Sequence, residues 1–440
     1  MVKPVRVRSR TDPSQPVGSP DIAINWFEDS RTSSVTLQSS VGWAHLPSAS
    51  QPAEDLLGIA VAVYVADRSI IREVQADGWT RHIVLEVPVG DPHRWPTSQL
   101  DAALSFLTGD SWSLRLRRGS PVPNRALGSR PFAGPESIAL FSGGVDSLTG
   151  VLDLIAAGTT TTLVSYFGDN PTGGLQRSIA SELRSNHGVD LPSFRFRIVE
   201  ASGADKAGTQ WPGLRDRHSR SRSFLFLALG VLVADMFSVE NLRMAEIGYI
   251  AVNVPLHSGR AGSLSTRTAH PHFVQHFNDL LSCAGIEVAV DNPFLLLTKG
   301  EVSQRLLAMA APALIGRTIS CAHPVGRWQG EGYRNCGYCY PCLIRRAGFR
   351  RAGSDPSRYS ANPLRQARFY AEHPSAASDV RSLARSLLDP VRAGDIMATG
   401  PIPSYQLLTD LHKMRVRGFD ELHSLLTGGS TRAVRQILGL

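Results

Sequence analysis

The sequence predicts an α/β protein organised around a doubly wound parallel sheet. Three observations carry that expectation. Short apolar runs alternate with amphipathic helical stretches from about residue 137 to 290, which is the βαβα rhythm of a parallel sheet. One of those runs feeds a turn of small residues, Phe-Ser-Gly-Gly-Val-Asp-Ser at 141–147. The chain of 440 residues is 42% hydrophobic and 19% charged, ordinary for a core-forming protein and long enough for two or three domains.

Taken in order, residues 1–130 are expected to form an α+β accessory domain. Within it "RHIVLEVPV" (81–89) and "SWSLRLRR" (111–118) read as strands, the second by alternation of Trp112, Leu114 and Leu116 with polar residues. A short helix is expected between them, and "EDLLGIAVAVYVADRSI" (54–70) fits either a helix or a strand. The Pro-, Gly- and Ser-rich stretch 117–137 reads as a linker. Residues 131–350 hold the alternating pattern. "SIALF" leads into a helix with Leu148, Val151, Leu152 and Ile155 on one face. "TTTTLVSYF" and "FRFRIV" are strands either side of a helix carrying Leu175, Ile179 and Leu183. A helix over about 221–238 is apolar all round and therefore buried. "LRMAEIG" and "IEVAV" add strands around a helix with Phe273, Phe277, Leu280, Leu281 and Ala284. Residues 351–440 read as helical.

Net charge is +8, which suits a phosphate-handling enzyme or a nucleic-acid partner. The basic N-terminus has no apolar core after it, so no signal peptide is expected. The longest apolar run, Phe224 to Ala234, is eleven residues, short of the roughly 20 needed to span a membrane. Five cysteines make no disulfide framework, and a cytoplasmic location is expected.

The first chemical motif is the small-residue turn. Gly143 and Gly144 let backbone N–H groups approach an anion, Ser142 and Ser147 add hydroxyls, and the helix starting near Ser147 presents its positive end. Asp146 would hold magnesium or orient the loop. The order is not that of a kinase-type phosphate loop. The second motif is "SCAHPVGRWQGEGYRNCGYCYPC" at 320–342. Cys336, Cys339 and Cys342 form a C-x2-C-x2-C run, and Cys321 completes four thiolates suited to tetrahedral zinc. Four metal-free thiols and an iron–sulfur cluster are the alternatives. Cys283, on the helix with Leu280 and Ala284, reads as buried and inert.

The loop resembles the SGGxDS signature of the PP-loop ATP pyrophosphatase superfamily, whose fold is that of the adenine nucleotide alpha hydrolases. Loop and cysteine knuckle together resemble the 7-cyano-7-deazaguanine synthase (QueC) family. "SRSFLFLALGVLVAD" (221–235) looks like that family's arginine-led helix and places Arg222. "NPFLLLTKGEV" (292–302) looks like its Pro–Lys segment and places Lys299. The resemblance covers about residues 137–350. It implies ATP as cosubstrate, magnesium and zinc, and release of AMP and pyrophosphate as a 7-deazaguanine carboxylate is activated for attack by an amine. It also implies that Asp146, Lys299 and Arg222 are catalytic, with Ser142, Gly143, Gly144, Val145, Asp146 and Ser147 around the nucleotide. A solvated lysine and a structural ion pair are the alternatives for Lys299 and Arg222.

The acceptor side departs from the family. "YFGDNPTGG" (166–174) and "LHSGRAGSLSTRTAHPHF" (256–273) stand where other motifs are usual. Arg267 and His270 in the latter stretch, and Glu246 at a strand end, are the candidate substrate-binding residues, with His270 and His272 as candidate bases toward an amine. The flanking regions are foreign to the small housekeeping enzyme and resemble the QueC-like proteins of bacterial antiphage defence systems. That resemblance implies a protein partner from the same operon as the amine acceptor. A PP-loop tRNA-modifying enzyme and a non-catalytic ATP-binding scaffold are the competing readings.

Overall fold

The computed structural model describes residues 4–14, 20–29, 31–41, 46–123, 134–167, 172–201, 215–216, 219–255, 267–322, 324 and 333–440. Ten strands are named in chain order: β1 (Val5–Arg10), β2 (Ile22–Asn25), β3 (Val35–Ser39), β4 (His82–Val89), β5 (Ser111–Arg118), β6 (Ser137–Leu140), β7 (Thr161–Tyr166), β8 (Ser193–Glu200), β9 (Asn241–Arg243) and β10 (Ala289–Asp291). The helices that pack on them are α1 (Gln51–Ser69), α2 (Thr97–Thr108), α3 (Val145–Ala156), α4 (Thr172–His187), α5 (Arg222–Met236), α6 (Gly248–Ala251), α7 (Pro271–Ala284), α8 (Lys299–Met309), α9 (Pro312–Arg317) and α10 (Tyr340–Arg351). The C-terminal helices are α11 (Phe369–Glu372), α12 (Ser378–Ser386), α13 (Ala393–Met397), α14 (Tyr405–Gly429) and α15 (Arg432–Leu438). None of the described helices is long and apolar enough to cross a membrane.

The strands form two sheets, ordered β2-β1-β4-β5 and β10-β9-β6-β7-β8-β3. In the larger sheet β10, β9, β6, β7 and β8 run parallel. The chain builds outward from β6 through β7 to β8, then returns to add β9 and β10 on the other side. The switch point therefore lies between β6 and β9, where a crevice opens at the strand C-termini. The N-terminal region differs from the α+β arrangement expected of it. Of its five strands, β1, β2, β4 and β5 form one all-parallel sheet, with α1 preceding β4 and α2 joining β4 to β5, while β3 joins the larger sheet. The ambiguous stretch at 54–70 is helix, capped by the Ser50 side chain.

The two sheets share apolar packing. One buried cluster joins Leu85 and Leu114 of the first sheet to α1, α5 and α7 and to Phe194 and Phe196 of β8. β3 closes the larger sheet as an antiparallel edge, with Val35 opposite Glu200 and Ser39 opposite Phe196. A second cluster on the opposite face joins α3 and α4 to α8, α10 and the C-terminal helices. The C-terminal stretches "SYQLLTDLHKM" and "FDELHSLL" belong to one continuous helix, α14. Gly418 sits between them because a Cβ there would stand 2.6 Å from the Tyr249 ring.

Candidate active site

β6 ends at Leu140 and the turn Phe141–Gly144 delivers the chain into α3. Gly143 adopts φ +80°, a conformation glycine takes without strain. Gly144 is the N-cap, and α3 has no side-chain cap, so its first N–H groups remain for an incoming anion. The Ser142 and Ser147 hydroxyls stand 3.1 Å apart. Val145 is buried in the core, so only its backbone can face a ligand. Asp146 and Lys299 are both buried and form an ion pair of 2.6 Å.

The crevice holds a cavity of about 350 Å³ lined by Ser142 and Ser147 of the loop, Ser165 and Tyr166 of β7, Arg222, Phe226, Glu246 and Thr268. Arg222 is exposed at the first turn of α5 and lies 5.7 Å from the Phe226 ring. Glu246 follows β9, its backbone held by Asn292 through bonds of 3.1 and 2.9 Å. Burial, and then the negative charge of Asp146, push the Glu246 carboxyl up to about 8, against the pull of Lys299. The site thus contains a carboxyl that stays protonated at neutral pH and can donate a hydrogen bond.

Arg267 and His270 do not line the cavity, although Thr268 and Ala269 between them do. The Arg267 guanidinium lies 4.5 Å from the Phe106 ring and donates to the Phe106 carbonyl at 2.8 Å. His270 is the N-cap of α7: its Nδ1 accepts from the His272 N–H at 3.3 Å, and Nε2 lies 3.0 Å from the Thr399 hydroxyl, which donates to Ile396. Burial, Arg267 and His272 lower its pKa to about 3. A neutral His270 with both nitrogens engaged holds a turn. His272 packs against Phe106 and His276.

Sequence reasoning did not single out Gln176. Its side chain is 3% exposed and lines the cavity. Nε2 donates to the carbonyls of Ser142 and Tyr166 at 3.3 Å each, and Oε1 has no partner among the described residues. Nor did it find the anchor of α5. Ser221 donates its N–H (2.9 Å) and hydroxyl (2.7 Å) to Oδ2 of Asp67, one member of a buried cluster with Asp110, Arg72 and Arg81. The run "RDRHSRSR" divides accordingly: Arg215 pairs with Glu200, Arg220 stacks on Trp79 at 4.2 Å, and Arg222 faces the cavity. Arg217 and His218 lie outside the described residues.

The four cysteines converge. The sulfurs of Cys321, Cys336, Cys339 and Cys342 all lie within 4.8 Å of one another. Two pairs, Cys321–Cys339 and Cys336–Cys342, stand at 3.8 Å. A tetrahedral zinc with Zn–S bonds of about 2.3 Å requires sulfurs about 3.8 Å apart, so the donor set fits one zinc ion. Cys339 caps α10 and Cys342 lies in its first turn, where the helix end favours thiolates. The knuckle also supports the phosphate loop, since the Ile319 N–H meets the Gly143 carbonyl at 3.4 Å. Cys283 is exposed, against the expectation of burial, because it falls beside the stripe of Phe273, Phe277, Leu280 and Ala284.

Part of the chain is similar to known proteins. The family model described as queuosine biosynthesis protein QueC matches residues 268–353. That segment contains Lys299 and all four clustered cysteines. The chain is also similar to 7-cyano-7-deazaguanine synthases. The protein of Syntrophobacter fumaroxidans is 25% identical over 243 residues, spanning 51% of this chain and 96% of the relative. That of Acinetobacter baylyi is 26% identical over 238 residues, 51% and 95% of the two chains. That of Thiobacillus denitrificans is 28% identical over 242 residues, 51% and 99%. Nearly the whole of each relative is matched, by only half of this chain.

Proposed function

We propose that the protein activates the carboxylate of a 7-deazaguanine with ATP, releasing pyrophosphate, and passes the acyl group to an amine with release of AMP. The observation that carries this reading is the convergence of the uncapped loop helix, Arg222 and Glu246 on one cavity at the switch point, in a chain similar to synthases of that class. ATP supplies the leaving group that a carboxylate oxygen lacks. Ser142, Ser147 and the N–H groups from Gly143 to Ser147 bind its phosphates. Asp146 orients the loop through Lys299, and its second oxygen is available to the magnesium ion that accompanies ATP. Lys299 and Arg222 offset negative charge as pyrophosphate departs. The protonated Glu246 and the fixed Gln176 Oε1 offer one donor and one acceptor to the purine-like ring. Arg267 and His270 hold the turn that presents Thr268.

The amine acceptor is ammonia or an amine of a protein partner. The departures at 166–174 and 256–273, of which 168–171 and 256–266 lie outside the described residues, favour the latter. In this the chain resembles the deazaguanine-handling proteins of antiphage defence, QatC among them. A sulfur-transferring role on tRNA is disfavoured by position. Four cysteines are gathered in the knuckle, and Cys283 lies about 18 Å of helix rise from the start of α7. The test is AMP and pyrophosphate release from ATP, with and without 7-carboxy-7-deazaguanine, in the wild type and Asp146→Asn. Substrate-dependent AMP that the substitution abolishes is expected. ATP binding without AMP formation under any acceptor points to a scaffold instead.

A further inference from the structure

The last long helix of the chain reaches the catalytic lysine. Lys299 is the first residue of α8, which begins with a capping box: the Thr298 hydroxyl oxygen accepts the Glu301 N–H at 3.2 Å, and the Glu301 carboxylate accepts the Thr298 N–H at 2.8 Å. A second carboxylate grips the same turn from outside. Glu421 of α14 is 7% exposed. One of its oxygens accepts the Thr298 hydroxyl proton, and the other accepts the Gly300 N–H at 2.9 Å. The residues before and after the lysine are thus tied to one side chain.

The packing leaves no slack in this contact. A Cβ at Gly300 would stand 2.4 Å from Oε1 of Glu421. On the other side, a Cβ at Gly348 of α10 would stand 2.3 Å from Cγ of Lys299. One turn before Glu421, Arg417 bonds to Glu301 at 2.8 Å and to the Leu296 carbonyl at 3.0 Å. All of α14 lies beyond residue 353, where the QueC match ends.

We infer that Glu421 is a positioning residue for Lys299, and that the C-terminal region is a working part of the nucleotide site. A carboxylate buried against neutral donors costs desolvation, which its two bonds to the lysine turn offset. An amide in its place can accept the Gly300 N–H only by turning its NH2 to the Thr298 hydroxyl, which must then accept where it now donates, beside the Glu301 N–H it already accepts. The lysine turn then loosens, and with it the reach of Nζ toward the phosphates.

This inference rests on the reading of the cavity as an ATP site, so its test uses ATP binding alone, which needs no second substrate. ATP affinity is measured by titration calorimetry for the full-length wild type, Glu421→Gln, Lys299→Ala and the double variant, each shown to melt cooperatively. Glu421→Gln is expected to weaken binding about tenfold when Lys299 is present and less than about twofold in the Lys299→Ala background. Gly300→Ala disturbs the same contact from the opposite side, should Glu421→Gln fold poorly, and is expected to show the same dependence on Lys299. Equal losses in both backgrounds, or no loss in either, overturn the positioning role while leaving the ATP site standing. A wild type that does not bind ATP overturns the reading of the cavity and this inference together.

Discussion

Two flanking regions of the chain hold the helix starts at Arg222, which lines the cavity, and at Lys299, which pairs with Asp146 after the phosphate loop, by the same device in different electrostatic settings. Asp67, from the N-terminal region, takes both the N–H and the hydroxyl of Ser221 and so fixes the start of α5 at Arg222. Glu421, from the C-terminal region, takes the Thr298 hydroxyl and the Gly300 N–H and fixes the start of α8 at Lys299. Burial alone would raise the Asp67 carboxyl, but Arg81 and then the Ser221 donors bring it below its ordinary range. Burial raises Glu421, and its hydrogen bonds to Thr298 and Gly300 do not reverse the shift. The first carboxylate is a permanent charge inside an ionic cluster. The second is raised by burial and held through hydrogen bonds from the neutral Thr298 and Gly300 donors. One kind of side chain can therefore fix a helix start from within an ionic cluster or through neutral hydrogen bonds, according to what surrounds it.

That contrast is broken most violently at Asp67. Asp67→Ala leaves Arg72 and Arg81 buried with one fewer carboxylate, and a loss of about 3–5 kcal/mol in urea denaturation is expected. A loss below about 1 kcal/mol would mean that the cluster relaxes and does not anchor α5. Lys299→Ala strands Asp146, and a fall of about 100-fold in AMP formation is expected, with ATP still bound more weakly. Gly348→Ala forces Lys299 aside and is expected to destabilise by about 1–3 kcal/mol. Gly174→Ala in α4, where nothing lies within 4 Å, should instead stabilise by about 0.5–1 kcal/mol. The pair separates glycines required by the site from one that is not.

The smallest expected effect is in pH dependence. Glu246 has a folded pKa of about 8, above its ordinary value, so the folded state binds its proton more tightly than the unfolded chain does. Its contribution to stability is fully present below the ordinary carboxylate range and is lost as pH rises through about 8. The melting temperature of the wild type should therefore fall between pH 6 and 9 relative to Glu246→Gln. Parallel profiles would place the Glu246 carboxylate in solvent.

What the sequence revealed follows from how local each feature is. The phosphate loop lies between adjacent elements, and three of the four cysteines fall within seven residues, so spacing alone exposes both. The capping box at Thr298 and Glu301 is equally local. Asp67 and Glu421 act on helix starts far away in the chain, and no pattern around either residue marks it. Gln176 sits in a helix of mixed composition and matters only because α4 brings it against the Ser142 and Tyr166 carbonyls. His270 illustrates the converse. A histidine before Pro271 in a polar stretch invites a catalytic reading, but the fold spends both its nitrogens on a helix cap and on Thr399. The edge strand β3 was missed because its pairing with β8 is long-range.

In the proposed reaction a carboxylate oxygen of the substrate attacks the α-phosphate of ATP. Turnover with 7-carboxy-7-deazaguanine carrying ¹⁸O in both carboxylate positions tests this by mass spectrometry of the nucleotide product. AMP bearing one ¹⁸O atom, with unlabelled pyrophosphate, is the expected product. Unlabelled AMP, or ADP and phosphate in place of AMP and pyrophosphate, would contradict it.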